Sequence, residues 1–408
     1  MPTGYLISVL VPVVPTALAL APIRRSWTWG QISWRLGFQV SELPALVAVW
    51  PLGATAWAGI EGDLATPGGL VGLGIAILEL TGLALLFRRS LRARPAVADA
   101  LRAGLANETR SLPARDLTSE VLHRPSARSV FTPLAVRRRD VVRARNLAYG
   151  PARPEQLLDV YRSRSGRGGG SCLVYFHGGG YRTGRKSREA RALIYRLASE
   201  GWFCVSANYR LPRHSPYPAA LIDAKAVIAW VREHATDYGG DPATVFLAGS
   251  SAGAHLAAMA ALTADDPSLQ PGFEAADTSV AGAICLYGFY GTPTWIDVEP
   301  GAPTSPLEQI SNSVPPLFIA HGELDSFVPV TGARHFVHRL RATATAPVVY
   351  AELPGAQHTF DLYHSIRFES VIDGIEAFTA GIHPTGSQSP RRTTVRATSL
   401  QDDRPAAK

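Results

Sequence analysis

The sequence predicts an α/β fold in which a mostly parallel sheet is covered by helices on both faces, preceded by an N-terminal helical transmembrane region. Three observations predict it. Strand-like apolar runs alternate with helical segments over the second half of the chain, which is typical of parallel sheets. One run, residues 245–248, leads through a glycine-containing turn into a small-residue helix. Long, nearly uncharged stretches dominate the first 95 residues.

Composition and charge divide the chain into four parts. With 408 residues, of which 46% are hydrophobic and 18% charged, it is longer than one such domain and leans apolar. We expect a transmembrane region of about three spans at 1–95, a basic juxtamembrane connector at 96–135, the α/β domain at 136–383 and a disordered tail at 384–408.

The turn after residues 245–248 reads Gly-Ser-Ser-Ala-Gly at 249–253 and follows the pattern G-x-S-x-G. Between a strand and a helix, this pattern predicts a sharp turn that exposes Ser251 as a nucleophile. The glycines two residues before and after the serine leave room for neighbouring backbone. A five-residue pattern with three fixed positions also arises by chance, so partners elsewhere in the chain must support it.

A second glycine-rich loop provides candidate hydrogen-bond donors. The strand-like run 171–176 leads into His177, which is followed by three glycines. Glycine amides are unshielded, so such a loop can approach an oxyanion that develops during acyl transfer. We expect the N–H groups of Gly178 and Gly179, together with that of Ala252, to form this oxyanion hole.

The acid and the base are expected after later strands. The run 316–320 leads to Asp325, the preferred acid, with Glu323 as a competitor. The run 347–353 is followed by His358, which is well placed to act as the general base. Of the other histidines, His234, His255, His335 and His338 are expected to be structural or solvated, and His364 lies too far past the loop. His321 is expected to support the loop that carries Asp325 by hydrogen bonding.

Together these motifs resemble the α/β-hydrolases, and among them the esterase/lipase branch with hormone-sensitive-lipase-like and feruloyl-esterase-like carboxylesterases. The resemblance covers about 136–383 and implies a serine esterase that needs no metal or cofactor, with Ser251 as nucleophile, His358 as base and Asp325 as its orienting acid. Residues 323–325 lack the D-P-L-x-D pattern of the hormone-sensitive-lipase subgroup, which favours the feruloyl-esterase-like subgroup. A serine amidase or peptidase of the same fold and a non-catalytic membrane scaffold are the alternatives.

Three apolar stretches, residues 1–23, 38–60 and 69–87, are long enough to cross a hydrocarbon layer of about 30 Å. The third carries Glu79, whose insertion costs roughly 3 kcal/mol, but the apolar residues around it offset that cost. We expect Glu79 to face other helices or to be protonated, with a functional polar site inside the membrane as the alternative. The first stretch lacks the positive start of a signal peptide, so it is interpreted as an anchor.

The charges between the stretches predict the orientation. Arginines lie in the first loop and after the third stretch, whereas Glu61 and Asp63 lie in the second loop. Positive loops stay inside, so the amino terminus is expected outside and the catalytic domain in the cytoplasm. If only two stretches span, the domain could face outward. The interfacial aromatic belt is expected to contain Trp27, Trp29 and Trp34.

The partners expected from the sequence are a small-molecule or lipid ester and the membrane. The net charge of +7 is assigned to connector arginines that contact anionic headgroups. Nucleic-acid binding is discounted because no nucleic-acid module accompanies the charge. The three cysteines lie in strand-like runs and are expected to be core residues, which suits a reducing compartment. The sequence leaves the oligomeric state open.

Overall fold

The computed structural model describes residues 3–106, 126–166 and 168–383. An eight-stranded sheet forms its centre. The strands are β1 (Val141–Ala148), β2 (Leu157–Ser163), β3 (Gly170–Phe176), β4 (Phe203–Ala207), β5 (Gly240–Ser250), β6 (Gly282–Leu286), β7 (Leu317–Gly322) and β8 (Val348–Leu353). Their order is β1-β2-β4-β3-β5-β6-β7-β8. β1 and β2 pair antiparallel, β2 meets β4 antiparallel, and all other neighbours are parallel. The predicted mostly parallel sheet is confirmed.

Helices cover both faces of this sheet, and others form a separate N-terminal bundle. They are α1 (Thr3–Leu10), α2 (Val13–Leu20), α3 (Trp27–Glu42), α4 (Pro44–Ile60), α5 (Pro67–Leu91), α6 (Ala93–Gly104), α7 (Ala127–Phe131), α8 (Arg191–Ser199), α9 (Ala219–His234), α10 (Ala252–Leu262), α11 (Val330–Thr343) and α12 (Ile366–Ile382). One apolar cluster joins the sheet to α9, α10 and α11. A second joins the opposite face to α6, α8 and α12. Because both faces are covered, the central strands are buried along their whole length.

The N-terminal region contains helices that are long and apolar enough to cross a membrane. Two qualify, at Thr3–Leu20 and Pro67–Gly104, and a third qualifies if α3 and α4 count as one span bent by 85°. The predicted span 38–60 is therefore not one straight helix. The break falls at Leu43, because Pro44 has no N–H to donate and disfavours helical backbone in the residue before it.

Side-chain contacts join these helices into a bundle. Tyr5 in α1 hydrogen-bonds Thr55 in α4 at 3.0 Å, and Thr16 in α2 donates to Glu79 in α5 at 2.6 Å. Glu79 is buried, so it faces another helix, as expected. At the end of the bundle next to the α/β domain, Arg89 donates to the carbonyl of Leu20 at 2.8 Å.

The predicted connector at 96–135 begins too early. Residues 93–104 form α6, whose Val97, Ala100 and Leu101 are buried in the second apolar cluster together with Leu105. This helix therefore packs on the central sheet, because its apolar side chains recur every three to four residues on one face. The rest of the predicted connector up to residue 125 and the predicted disordered tail lie outside the described residues.

Candidate active site

The turn around Ser251 has the strained geometry that the motif predicts. Ser251 follows β5 directly, is the N-cap residue of α10 and has a φ of 55°, in the left-handed region. A Cβ atom on Gly249 would lie 2.1 Å from the carbonyl oxygen of Gly253, and one on Gly253 would lie 2.1 Å from that of Phe176. Only glycine fits at either position. The two glycines therefore allow the tight turn that presents the Ser251 hydroxyl at the carboxyl edge of the sheet.

The loops after β7 and β8 bring Asp325 and His358 to this serine. The Nε2 atom of His358 lies 2.9 Å from Ser251 Oγ, and its Nδ1 lies 2.7 Å from Asp325 Oδ2. All three residues are buried. The three candidate catalytic residues therefore form one continuous line of hydrogen bonds, in the chain order serine, acid, histidine that this fold uses.

Hydrogen bonds hold the Asp325 carboxylate in its ionised form. The other carboxylate oxygen accepts the N–H groups of Phe327 and Val328 at 2.9 and 2.7 Å. Burial alone would raise the pKa of Asp325, but the charges and hydrogen bonds of His358 and His321 outweigh burial and hold this pKa below its usual range. His321 Nε2 lies 3.4 Å from the carboxylate and 2.9 Å from the carbonyl of Val328, consistent with its expected supporting position.

Glu323, the competing acid, points away from the histidine. Its carboxylate accepts the N–H of Gly355 at 3.0 Å and its side chain is exposed. It fastens the loop that carries His358 to the loop that carries Asp325. Because an orienting acid must contact the imidazole, the geometry favours Asp325 over Glu323.

The glycine loop after β3 lies beside the serine, but one expected donor has another partner. Gly178 is so close that a Cβ atom on it would lie 3.3 Å from Ser251 Cβ, yet its N–H donates to Glu189 at 3.3 Å. The role of Gly178 as an oxyanion donor therefore stays a prediction, and this contact with Glu189 disfavours it. Within the described residues, the N–H groups of Gly179, Gly180 and Ala252 have no protein acceptor.

Burial shapes the ionisation of the groups beneath this loop. Burial raises the pKa of Glu189 to about 7, reinforced by the nearby Asp361 charge. Burial also lowers the pKa of His177 to about 4, and this ring stacks on Tyr209 with centroids 4.4 Å apart. His177 is therefore neutral near pH 7 and supports the loop by packing and by hydrogen bonding.

A second buried carboxylate, Asp361, lies behind the histidine, and the sequence motifs do not reveal it. It accepts hydrogen bonds from Ser250 Oγ and Tyr287 Oη. The Tyr287 ring contacts the His358 ring edge-on with centroids 4.5 Å apart. Burial raises the pKa of Asp361. The position of Asp361 three residues after His358 was its only sequence signal.

The N-terminal helices also reach the candidate site. Trp34 in α3 donates its indole N–H to the His358 carbonyl at 3.2 Å and to Thr359 Oγ1 at 3.1 Å. Its ring meets the His358 ring edge-on at 5.7 Å between centroids. The tryptophan pattern alone predicts only an interfacial position for this residue, because nothing in the local sequence indicates a partner 324 residues away.

Two aromatic residues from the connection after β6 flank the glycine loop. Trp295 donates its indole N–H to the carbonyl of Gly180 at 3.1 Å. Phe289 packs between Trp295 and His255, at centroid distances of 5.0 and 6.2 Å. His255 is buried and hydrogen-bonds Tyr181 at 2.8 Å, which agrees with its expected structural role.

Comparison with known proteins adds independent information. A family described as BD-FAE matches residues 158–292. The chain is 34% identical to the probable carboxylic ester hydrolase LipM of Mycobacterium tuberculosis, over 94% of each chain. It is 38% identical to the esterase LipQ of the same organism, over 60% of this chain and 64% of LipQ. The likeness to LipM covers most of the N-terminal helical region as well as the α/β domain.

A solved structure supports the fold. A truncated carbohydrate esterase from gut microbiota superposes with a TM-score of 0.50 at 20% identity, over 58% of this chain and 96% of that chain. At this identity the likeness concerns the fold alone.

Proposed function

The chain belongs to the α/β-hydrolase carboxylic ester hydrolases, the family of LipM, and we propose that it cleaves acyl esters with Ser251, His358 and Asp325 while its N-terminal helices hold it in a membrane. The observation that carries this proposal is the line of hydrogen bonds from Ser251 Oγ through the imidazole to the Asp325 carboxylate.

The proposed reaction has two halves. Ser251 Oγ attacks the ester carbonyl carbon while His358 Nε2 takes its proton, and the carbonyl oxygen becomes an oxyanion. The bond to the alkoxide then breaks, His358 returns the proton to the leaving alcohol, and the acyl group stays on Ser251. Water attacks the acyl-enzyme with His358 again as base, which releases the carboxylic acid and restores the serine. Asp325 holds the imidazole tautomer and stabilises its charged form.

The oxyanion hole is proposed to consist of the N–H groups of Gly179 and Ala252, with Gly180 in place of Gly178. Their lack of a protein acceptor supports this choice, since a donor that is already engaged cannot stabilise a new charge. Loss of one such donor costs about 2.7 to 4 kcal/mol in a well-studied serine protease.

Membrane anchoring is supported by the length and apolar character of the helical region. We propose that α1 with α2, α4 and α5 span the bilayer. Large apolar side chains on α4 and α5 face outward, among them Val49, Trp57, Leu70 and Leu78, as lipid contact requires. Exposing these apolar surfaces to water would be unfavourable.

The proposed orientation puts the hydrolase domain in the cytoplasm. The arginine-rich ends of the first and third spans meet where Arg89 contacts Leu20, next to the hydrolase domain, whereas Glu61 and Asp63 lie at the opposite end of the bundle. Positive charge stays inside. Protease treatment of intact spheroplasts should leave the hydrolase domain uncut, and digestion from outside would reverse this orientation.

The substrate class proposed is an acyl ester that partitions into membranes, because the site lies next to the membrane helices. The test is turnover of p-nitrophenyl esters of increasing acyl length by the full chain in nanodiscs. Ser251→Ala should lower kcat by roughly 10⁴-fold or more, whereas Ser268→Ala, an exposed serine far from the site, should behave as the wild type. Undiminished turnover by Ser251→Ala would refute the nucleophile assignment.

A further inference from the structure

Helix α3 lies at the junction between the apolar bundle and the hydrolase domain, and it touches both loops that complete the candidate site. Exposed Trp27 and Trp29 mark its amino-terminal end. Trp34 lies in its middle, and Ser41 and Glu42 end it. Each of these three sections has a different contact with the hydrolase domain.

The amino-terminal section packs without a gap against the acid loop, which follows β7 and carries Asp325. Ser326, the residue after Asp325, donates its hydroxyl to the carbonyl of Gly30 at 2.9 Å. A Cβ atom on Gly30 would lie 2.1 Å from the carbonyl oxygen of Ser326. The two backbones can approach this closely only because residue 30 is glycine.

The middle section connects the acid loop to the histidine loop, which follows β8 and carries His358. The Trp34 ring stacks on Phe327 with centroids 4.8 Å apart, and Phe327 in turn contacts the His358 ring at 5.0 Å. The indole N–H reaches the main-chain carbonyl of His358 and the Thr359 hydroxyl. One side chain of α3 therefore touches the loops that carry both Asp325 and His358.

The hydrogen bonds of Trp34 fall on a strained part of the backbone. Thr359 has a φ of 64°, a left-handed conformation that a β-branched residue rarely adopts. Such a conformation persists only where the surroundings impose it. Trp34 donates to the carbonyl that precedes the Cα atom of Thr359 and to the hydroxyl of the Thr359 side chain, so it contributes to holding the backbone that carries the imidazole.

The carboxyl-terminal section fixes α3 in place. Glu42 forms a buried ion pair with Arg367 and accepts the Ser365 hydroxyl at 2.7 Å. Ser41 donates to the carbonyl of Gly355, at the start of the histidine loop, at 3.3 Å. Because both ends are attached to the hydrolase domain, α3 holds a fixed place over these loops.

We propose that Trp34 is a positioning residue for His358, so that the N-terminal helical region is a working part of the active site as well as an anchor. This inference rests on the proposed function of His358 as general base. Trp34 acts on the reaction through the histidine loop. Its removal should therefore lower the rate of every step that needs the base and leave substrate binding nearly unchanged.

The test uses the full chain in nanodiscs of phosphatidylcholine and phosphatidylglycerol. Trp34→Phe keeps a ring that can stack on Phe327 but removes the N–H donor. We expect kcat to fall about 3- to 10-fold, with KM within about 2-fold, because small misplacements of catalytic groups are costly. Trp34→Ala also loses the stacking and should lose about 30-fold or more.

Trp50→Phe is the matched control. Trp50 in α4 also donates its indole N–H to a main-chain carbonyl, that of Ser8 at 2.9 Å, but it does not contact the hydrolase loops. Its kcat should stay within about 2-fold of the wild type. The rate at which a fluorophosphonate labels Ser251 should follow kcat in each variant, because this reaction also needs the base, and the loss in Trp34→Phe should persist from about pH 6 to pH 9.

A double variant tests the link to the strained backbone. Thr359→Gly removes the strain, since glycine adopts this φ freely, and also removes one of the two acceptors of the Trp34 N–H, so Trp34→Phe should cost less in that background than in the wild type. Equal costs in both backgrounds would overturn the proposed link.

Three further results would overturn the inference: a wild-type kcat in Trp34→Phe, a change confined to KM, or an equal loss in Trp50→Phe. If Trp34→Ala does not fold, Trp34→Phe decides. Failure of the proposed function has a different signature, because Ser251→Ala would then retain turnover whatever residue 34 is.

Discussion

The hydrolase core and the N-terminal helices both contribute to the site, but they do so in different ways. The core supplies Ser251, Asp325 and His358 from the carboxyl ends of β5, β7 and β8, where parallel-sheet topology brings them together. The helical region supplies α3, whose Gly30 and Trp34 meet the outer side of two of those loops. Chemistry in the core is set by motif and topology, whereas the support from α3 depends on packing between distant parts of the chain.

The largest expected effect tests the core. Asp325→Asn keeps the shape of the side chain but cannot hold the imidazole in the required tautomer, so kcat should fall about 10⁴-fold. Glu323→Gln on the same loop should stay within about 3-fold, because among the described residues the Glu323 carboxylate accepts a hydrogen bond from the N–H of Gly355 and none from the imidazole of His358. Steady-state kinetics on one ester measures both. A larger loss of kcat for Glu323→Gln than for Asp325→Asn would make Glu323 the orienting acid in place of Asp325.

A methyl group added to the turn around Ser251 should destabilise the α/β core. Gly253→Ala puts a Cβ atom 2.1 Å from the Phe176 carbonyl oxygen, and overpacking of this kind costs about 1 to 3 kcal/mol or more. Gly332→Ala in α11 meets no atom within 4 Å and should be neutral or stabilising by up to about 1 kcal/mol. Thermal unfolding in detergent compares the stabilities of the two variants. Equal melting temperatures would contradict the geometry described for the turn around Ser251.

The same substitution at the junction should have a different signature. Gly30→Ala forces α3 away from Ser326, so we expect a loss of kcat of about 10-fold to 10²-fold with the hydrolase domain still folded. Gly53→Ala in α4 meets open space and is the control. If Gly30→Ala kept full activity, α3 would be dispensable and the comparison between the two regions would fail.

The smallest effect concerns pH and the buried Glu189. Its pKa is raised to about 7 by burial, so its contribution to stability is fully present below the unfolded pKa near 4.5 and is lost as the pH rises through about 7. Between these values the wild type should lose on the order of 1 to 3 kcal/mol relative to Glu189→Gln. Melting temperatures across this range measure the difference, and parallel profiles would show that Glu189 does not titrate there.

The sequence was sufficient for the fold and for the positions around Ser251, because local rules determine both. Apolar runs with helices between them predicted the parallel sheet, which is confirmed. The assignments of Ser251, Asp325 and His358 remain predictions, and the folded chain brings these residues within hydrogen-bond distance. Each lies just beyond a strand, where sequence patterns are most informative.

Contacts between distant segments limited the remaining predictions. Gly178 and Gly179 look alike in sequence, and only folding shows that the Gly178 N–H is taken by Glu189. The Arg, Pro and Ser content after residue 96 suggested a basic juxtamembrane connector, whereas Val97, Leu101 and Leu105 at four-residue spacing bury one face of a helix there. Trp34 and Asp361 could not be identified, because their partners come from other elements of the fold.

The most direct test of the account is to find which residue a fluorophosphonate labels in the full chain in nanodiscs, using peptide mass spectrometry. The account predicts a single adduct on Ser251, formed at least about 10³-fold more slowly in His358→Ala and about 3- to 10-fold more slowly in Trp34→Phe. An adduct on another serine, or labelling of Ser251 at the wild-type rate in His358→Ala, would contradict it.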